Sequence, residues 1–190
     1  MRLSILIPSI PERRVKLNKL VKELSKQIAQ CEADAEVVKV VTVAQKDGGQ
    51  SIGQKRQMCL NKAKGEYVCF IDDDDWIAPN YISSLMIGCD SGADVVTFNA
   101  FIKLDNYYGL VSMQLGSENE QMSSEGIIKR NAWHICPHKK ELAATFNDSS
   151  YGEDWDYMSQ VIPKLNTDYH IDSILTIYEH SKKLSRAKNI

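Results

Sequence analysis

Asp72, Asp73, Asp74 and Asp75 form an unbroken run of four carboxylates directly after the apolar stretch Tyr67-Val68-Cys69-Phe70-Ile71. Adjacent like charges raise one another's pKa, so such a run beside a core is costly unless a cation neutralises it. A hard divalent ion, magnesium or manganese, answers that need. It prefers oxygen ligands and often takes only one or two protein carboxylates while substrate phosphates complete its shell. Any acidic run can instead be a solvated loop, but here the strand before it and Trp76 after it are expected to hold it against the core. An EF-hand loop does not fit, because the alternating ligands and the Gly and Glu of that loop are missing.

Other clusters carry chemistry of their own. Glu153 and Asp154, within Gly152-Glu153-Asp154-Trp155-Asp156, lie at the start of an expected helix: acids there suit proton transfer, or serve only the helix dipole. Lys55 and Arg56 can add positive charge near an anionic ligand or lie on an exposed helix face. In Trp133-His134-Ile135-Cys136-Pro137-His138-Lys139-Lys140, the alternation of His134, Cys136 and His138 makes zinc conceivable. Only three ligands are local, however, and no Cys or His pair lies at finger spacing. The deaminase signature is absent as well. A loop beside a ligand site fits better, with Trp133 stacking on the ligand or simply packing.

The elements that must position these residues alternate. Leu3 to Ile7 reads as a buried strand, and Val15 to Ala29 as a helix with Leu17, Leu20, Val21, Leu24 and Ile28 on one face. A β-branched run, Val37 to Val43, leads through the turn Gln45-Lys46-Asp47-Gly48-Gly49 to a helix over Ser51 to Lys64, stopped by Gly65, and to a strand from Tyr67 to Ile71. Repeated β-α-β order implies an α/β protein with a Rossmann-like, mostly parallel central sheet and helices on both faces. In such sheets ligands bind at the carboxyl ends of the strands, where the acidic run lies. Further on, a helix from Pro79 to about Gly88, a strand from Asp94 to Ile102, a helix over Tyr151 to Leu165 and a strand from Ile171 to Tyr178 are expected, while Tyr107 to Gly126 carries little periodic signal.

The 190 residues suit one domain, and 43% hydrophobic content supplies a core. A net charge of -2 provides no general attraction to nucleic acid or an anionic membrane. Cys31, Cys59, Cys69, Cys89 and Cys136 are odd in number and scattered, which favours reduced thiols and a cytoplasmic compartment. No signal peptide or membrane-spanning run is evident.

The acidic segment resembles the DxD motif of family 2 glycosyltransferases with the GT-A fold. Ile5-Leu6-Ile7-Pro8-Ser9 is similar to that family's first strand and nucleotide-contacting turn, and Asp47-Gly48-Gly49 stands where the family often has Asp-Asp-Gly-Ser. Gly53 with Lys55-Arg56-Gln57 resembles its Gly-x-x-x-Arg-Asn helix start, with Gln57 replacing the usual Asn. Gly152-Glu153-Asp154-Trp155-Asp156 is similar to its Glu-Asp motif, and Tyr178-Glu179-His180-Ser181 to its late Tyr-x-x-His-Ser element.

The resemblance implies one GT-A domain over 1–190, with a nucleotide-sugar-binding half (1–103) and an acceptor-binding, catalytic half (104–190). It implies an inverting enzyme that moves a sugar from a nucleotide-sugar, by family habit a UDP-sugar, to a hydroxyl acceptor with Mn2+ or Mg2+. Asp74 would contact the metal, with Asp72 on the ribose or a metal-bound water and His180 a late metal or phosphate ligand. Pro8, Ser9, Asp47, Lys55, Arg56 and Asp73 would line the nucleotide site. Asp154 would be the general base with Glu153 beside it, and Trp133, His134 and Trp155 would meet the acceptor. A glycan or small hydroxyl compound is the expected acceptor, ahead of hydroxymethylated pyrimidines in bacteriophage DNA. The basic tail Lys182, Lys183, Arg186 and Lys188 and the pair Lys139-Lys140 would suit DNA, and a phage protein would work in the host cytoplasm. A metal-dependent nucleotidyltransferase and a non-catalytic nucleotide or sugar-binding module are the alternatives; the former lacks a Gly-rich phosphate loop at Pro8-Ser9-Ile10-Pro11.

Overall fold

The computed structural model describes residues 1–104, 107–120, 123 and 126–180. Its first strand, β1 (Leu3–Ser9), is buried along its whole length because it runs between two parallel partners, β2 (Ala35–Val41) and β3 (Tyr67–Phe70). Helix α1 (Arg14–Gln30) returns from β1 and buries Leu17, Leu20 and Leu24, the inward face expected from the 3.6-residue period. It also buries Gln27, whose amide is fully used: it donates to the Ala78 carbonyl at 3.0 Å and accepts from the Ile82 amide at 3.1 Å. That pair of bonds fixes the start of α3 (Tyr81–Asp90) against α1.

Helix α2 (Ile52–Lys62) begins with a capping box in which the Ser51 hydroxyl accepts from the Gln54 amide and the Gln54 side chain accepts from the Ser51 amide. Gly53 is needed there for closeness: a Cβ would lie 2.0 Å from the Asn147 carbonyl oxygen, and the Gly53 amide donates to Ser149 O at 2.9 Å. The opening turn of α2 is thereby clamped to the loop that leads into α4 (Glu153–Val161).

Beyond β3 the sheet turns mixed. Its order is β2-β1-β3-β8-β5-β6-β7, where β5 is Val95–Leu104, β6 Tyr107–Met113, β7 Ile127–Arg130 and β8 His138–Lys139. The long β9 (Asp168–His180) pairs in parallel with β5 and antiparallel with the short β4 (Trp76–Ile77). β5 and β6 are joined by two residues, a connection that allows only an antiparallel return, and β8 is antiparallel to both neighbours. The expected parallel pairing thus holds for the first three strands and recurs where β5 meets β9 and β6 meets β7, with antiparallel pairs set among them.

Other elements differ in detail from the sequence reading. The second strand starts two residues earlier than expected, and the helix expected over Tyr151 to Leu165 is α4 followed by a 3-10 turn at Ile162–Lys164, because Pro163 lacks the amide that would continue the α-helix. The stretch with little periodic signal contains β6. Trp76 does not anchor the acidic run: it is 48% exposed, and the buried Ile77 and Ala78 hold that point to the core. Cys59, Cys69, Cys89 and Cys136 are buried free thiols, and Cys31 is an exposed one.

Candidate functional site

The four aspartates divide into two pairs that face different ways. Asp73 points inward, where its carboxylate accepts from the Ser9 hydroxyl at 2.5 Å and pairs with Arg13 at 2.6 Å. Burial raises the Asp73 pKa, while Ser9 and Arg13 oppose that shift. Asp74 pairs with Arg13 at 2.8 Å and with Lys16 at 3.2 Å. The first turn of α1 and the residue before it therefore neutralise the middle of the run. Asp72 and Asp75 instead close a turn on each other, the Asp75 amide donating to Asp72 O at 3.1 Å, and both line a cleft of about 420 Å³. Burial and the neighbouring aspartates push the Asp75 carboxyl up to about 8.

From the other side of this cleft come Arg56, His134, Asp154 and Trp155. Arg56 is buried, lies 3.4 Å from Asp72 and 3.5 Å from Glu153, and places its guanidinium 5.9 Å from the Phe70 ring centroid. Its Nε and Nη1 have no hydrogen-bond acceptor, although a guanidinium in so dry a place ordinarily finds one. Glu153 is buried at the start of α4, and burial raises its pKa against the pull of Arg56. Gly152 before it adopts φ of +73°, a left-handed turn that suits glycine. Asp154, one residue on, is half-buried, and its carboxylate stands 4.0 Å from His134 Nδ1. His134 is 7% exposed, and that nitrogen has no hydrogen-bond partner among the described residues. Burial, reinforced by Arg56, holds the imidazole far below its ordinary pKa, so it is neutral. Trp133 and Trp155 meet edge to face at 4.6 Å beside it.

The remaining candidates lie farther out. Pro8 and Ser9 are buried in β1, Ser9 acting through Asp73. Lys55 is buried, which lowers its pKa, while Glu12 and Asp73 favour its charge. Asp47 sits exposed on a 3-10 turn and does not line the cleft. His180 ends β9, and its side chain lies outside the described residues, as does the basic tail. Both ring nitrogens of His138 are engaged, at 3.0 Å from the Cys136 carbonyl oxygen and 2.8 Å from the Tyr157 hydroxyl, which leaves neither for the zinc considered from the sequence. Among the described residues no three His, Cys, Asp or Glu side chains form a metal cage. Sequence reasoning missed Arg13, Lys16 and Thr176, and it named Tyr178 only within the Tyr-x-x-His-Ser element. Only the three-residue spacing of Arg13 and Lys16 at the start of the first helix hinted at a basic partner for the aspartates.

Carboxylates at the carboxyl end of the parallel strand β3, facing a cleft with Asp154 opposite, stand where open α/β sheets bind ligands. Residues 19–150 match the model of glycosyl transferase family 2, and the chain belongs to that family. It is 26% identical over 80 residues to EpsH of Bacillus subtilis (strain 168) and 33% identical over 70 residues to glycosyltransferase GlyA of Streptococcus pneumoniae serotype 4. Those matches cover 42% and 37% of this chain but 23% and 9% of the relatives, so the chain spans less than a quarter of either. Among solved structures, S. aureus TarS 1-349 superposes with a TM-score of 0.65 at 18% identity, over 94% of this chain and 60% of TarS 1-349. The same protein in complex with UDP-GlcNAc gives 0.61 at 15% identity, over 95% and 59%. At that identity the likeness establishes the GT-A fold. No described helix is long and apolar enough to cross a membrane.

Proposed function

We propose that this chain is an inverting glycosyltransferase domain that moves a sugar from a nucleoside diphosphate sugar to a hydroxyl acceptor. The observation that carries the reading is the cleft itself, which Asp72 and Asp75 line on one side and Arg56, His134 and Asp154 on the other. Asp154 is the general base: its carboxylate takes the acceptor hydroxyl's proton as that oxygen bonds to the anomeric carbon. The bond from that carbon to the phosphate oxygen breaks on the opposite side, and the nucleoside diphosphate leaves with the electron pair, which inverts the anomeric centre. His134, neutral and unpartnered at Nδ1, orients the acceptor beside Asp154, with the Trp133 and Trp155 rings available to stack on it.

The carboxylates fit Mn2+ or Mg2+. Two oxygen donors face the cleft without a close cation except Arg56, and a diphosphate would supply the other ligands. Asp72 and Asp75 would hold the ion, with Asp74 joining them if it leaves Arg13. The ion, when bound, supplies Lewis-acid stabilisation of the leaving diphosphate. Arg56 adds charge at the same place, and Ser9, Lys55, Asp73 and Asp47 shape the nucleotide side. UDP is the proposed nucleotide, since a structural neighbour is described in complex with UDP-GlcNAc. Residues 1–103 would serve the donor and 104–190 the acceptor, a glycan or another hydroxyl compound.

The test is thermal unfolding with UDP, GDP, CMP and ATP, each with and without manganese. A ligand at about a hundred times its dissociation constant adds roughly 2.7 kcal/mol, or about 5 to 11 °C for a domain of this size. A manganese-dependent shift with UDP that Asp72→Asn abolishes supports the reading. A shift with ATP alone would favour a nucleotidyltransferase.

A further inference from the structure

The far end of the cleft is built by sheet register. Thr176 of β9 stands beside Ala100 of β5, Ala100 beside Val111 of β6, and Val111 beside Ile128 of β7. Partners in register share a face of the sheet, and all four residues line the cleft. With strands about 4.8 Å apart, this row forms a floor about 14 Å long. Its β9 end is polar and adjoins the aspartates: Tyr178 lies two residues from Thr176 on the same face, and burial together with Asp72 and Asp75 raises its pKa. From β5 to β7 the row offers only alkyl groups.

A bare oligosaccharide laid along that floor would bury hydroxyls against Ala100, Val111 and Ile128, which supply no donor or acceptor. An alkyl or aryl group would gain by the same burial. We infer that the acceptor is amphipathic: its reacting hydroxyl lies beside Asp154, and an apolar aglycone extends over Ala100, Val111 and Ile128 toward β7. This rests on the glycosyltransferase reading for the direction in which the acceptor lies.

The experiment is calorimetric titration of methyl, butyl and hexyl β-glucoside into the protein, with and without UDP and manganese. Affinity should rise by about fourfold per methylene, the gain expected of a dry apolar surface. The double variant Val111→Thr/Ile128→Thr keeps β-branched side chains, isosteric at Val111 and one carbon shorter at Ile128, and in it the gain per methylene should fall below twofold while the UDP shift is unchanged. Equal affinity for the three glucosides, or a gain that the double variant leaves intact, overturns the inference. A missing UDP shift alongside a normal alkyl gradient would remove the donor reading and leave an apolar ligand site on the floor.

Discussion

The two sides of the cleft are held in place by different physics. On the proposed donor side, the middle of the acidic run is matched before any ligand arrives: Asp73 and Asp74 are fixed by Ser9, Arg13 and Lys16, from β1, the turn after it and the start of α1, while Asp72 and Asp75 are left to the cleft. On the acceptor side, His134 Nδ1 is buried without a partner and the floor is aliphatic. The contrast fits the proposed roles: the donor end is pre-organised by ion pairs around its acidic run, whereas the acceptor end keeps the polar capacity of His134 unspent.

Asp154→Asn gives the strongest way to break that comparison. If Asp154 is the base, turnover should fall by about 10² to 10⁴-fold while the manganese-dependent UDP shift persists, as measured by product formation and thermal unfolding on the same sample. Loss of the UDP shift would place Asp154 on the donor side instead. Undiminished turnover would assign the proton transfer to another group.

Arg13→Ala probes the donor side. It strips the inward-facing Asp73 of its cation, and breaking a buried pair from one side is costly, here roughly 3 kcal/mol given that Arg13 keeps some exposure. Chemical denaturation would measure it. Adding Asp73→Asn should recover part of the loss, because the buried charge is then gone as well. A stability loss below about 0.5 kcal/mol would mean that solvent, not α1, neutralises the acidic run.

The donor side was the legible one. Its residues sit in short local strings, Ile71 to Asp75 and Gly53 to Gln57, where chemistry and secondary structure are written in the same few positions. What the string could not convey was direction: four adjacent aspartates look alike until Arg13 and Lys16 draw two of them away from the cleft. The acceptor floor was illegible for a different reason. Ala100, Val111, Ile128 and Thr176 carry no motif, and they meet only through strand register between elements far apart in the chain, one of which, β6, left no periodic signal. Trp76 misled because a large aromatic beside a core strand suggests burial, whereas β4 turns its side chain outward.

The smallest expected effect concerns how the acceptor side is tied together. His138 is fully buried between Cys136 O and the Tyr157 hydroxyl, and a carbonyl only accepts, so Nδ1 carries the proton and Nε2 accepts from Tyr157. This bridge joins β8 to α4, the helix that presents Glu153 and Asp154. Burial pushes the His138 pKa down to about 4 from the ordinary 6.5. A depressed pKa means that the folded state binds its proton less readily than the unfolded chain, so this contribution is complete above pH 6.5 and is lost as pH falls toward 4. Between pH 7 and pH 5 the loss should be about 2 kcal/mol, read from denaturant unfolding at each pH. His138→Gln, which can still bridge a carbonyl and a hydroxyl but does not titrate, should remove this share of the pH dependence and leave that of His134, whose pKa burial also holds below its ordinary value. If the slope is unchanged by the substitution, His134 alone accounts for it, because the raised carboxyls of Asp73 and Asp75 favour the folded state as pH falls.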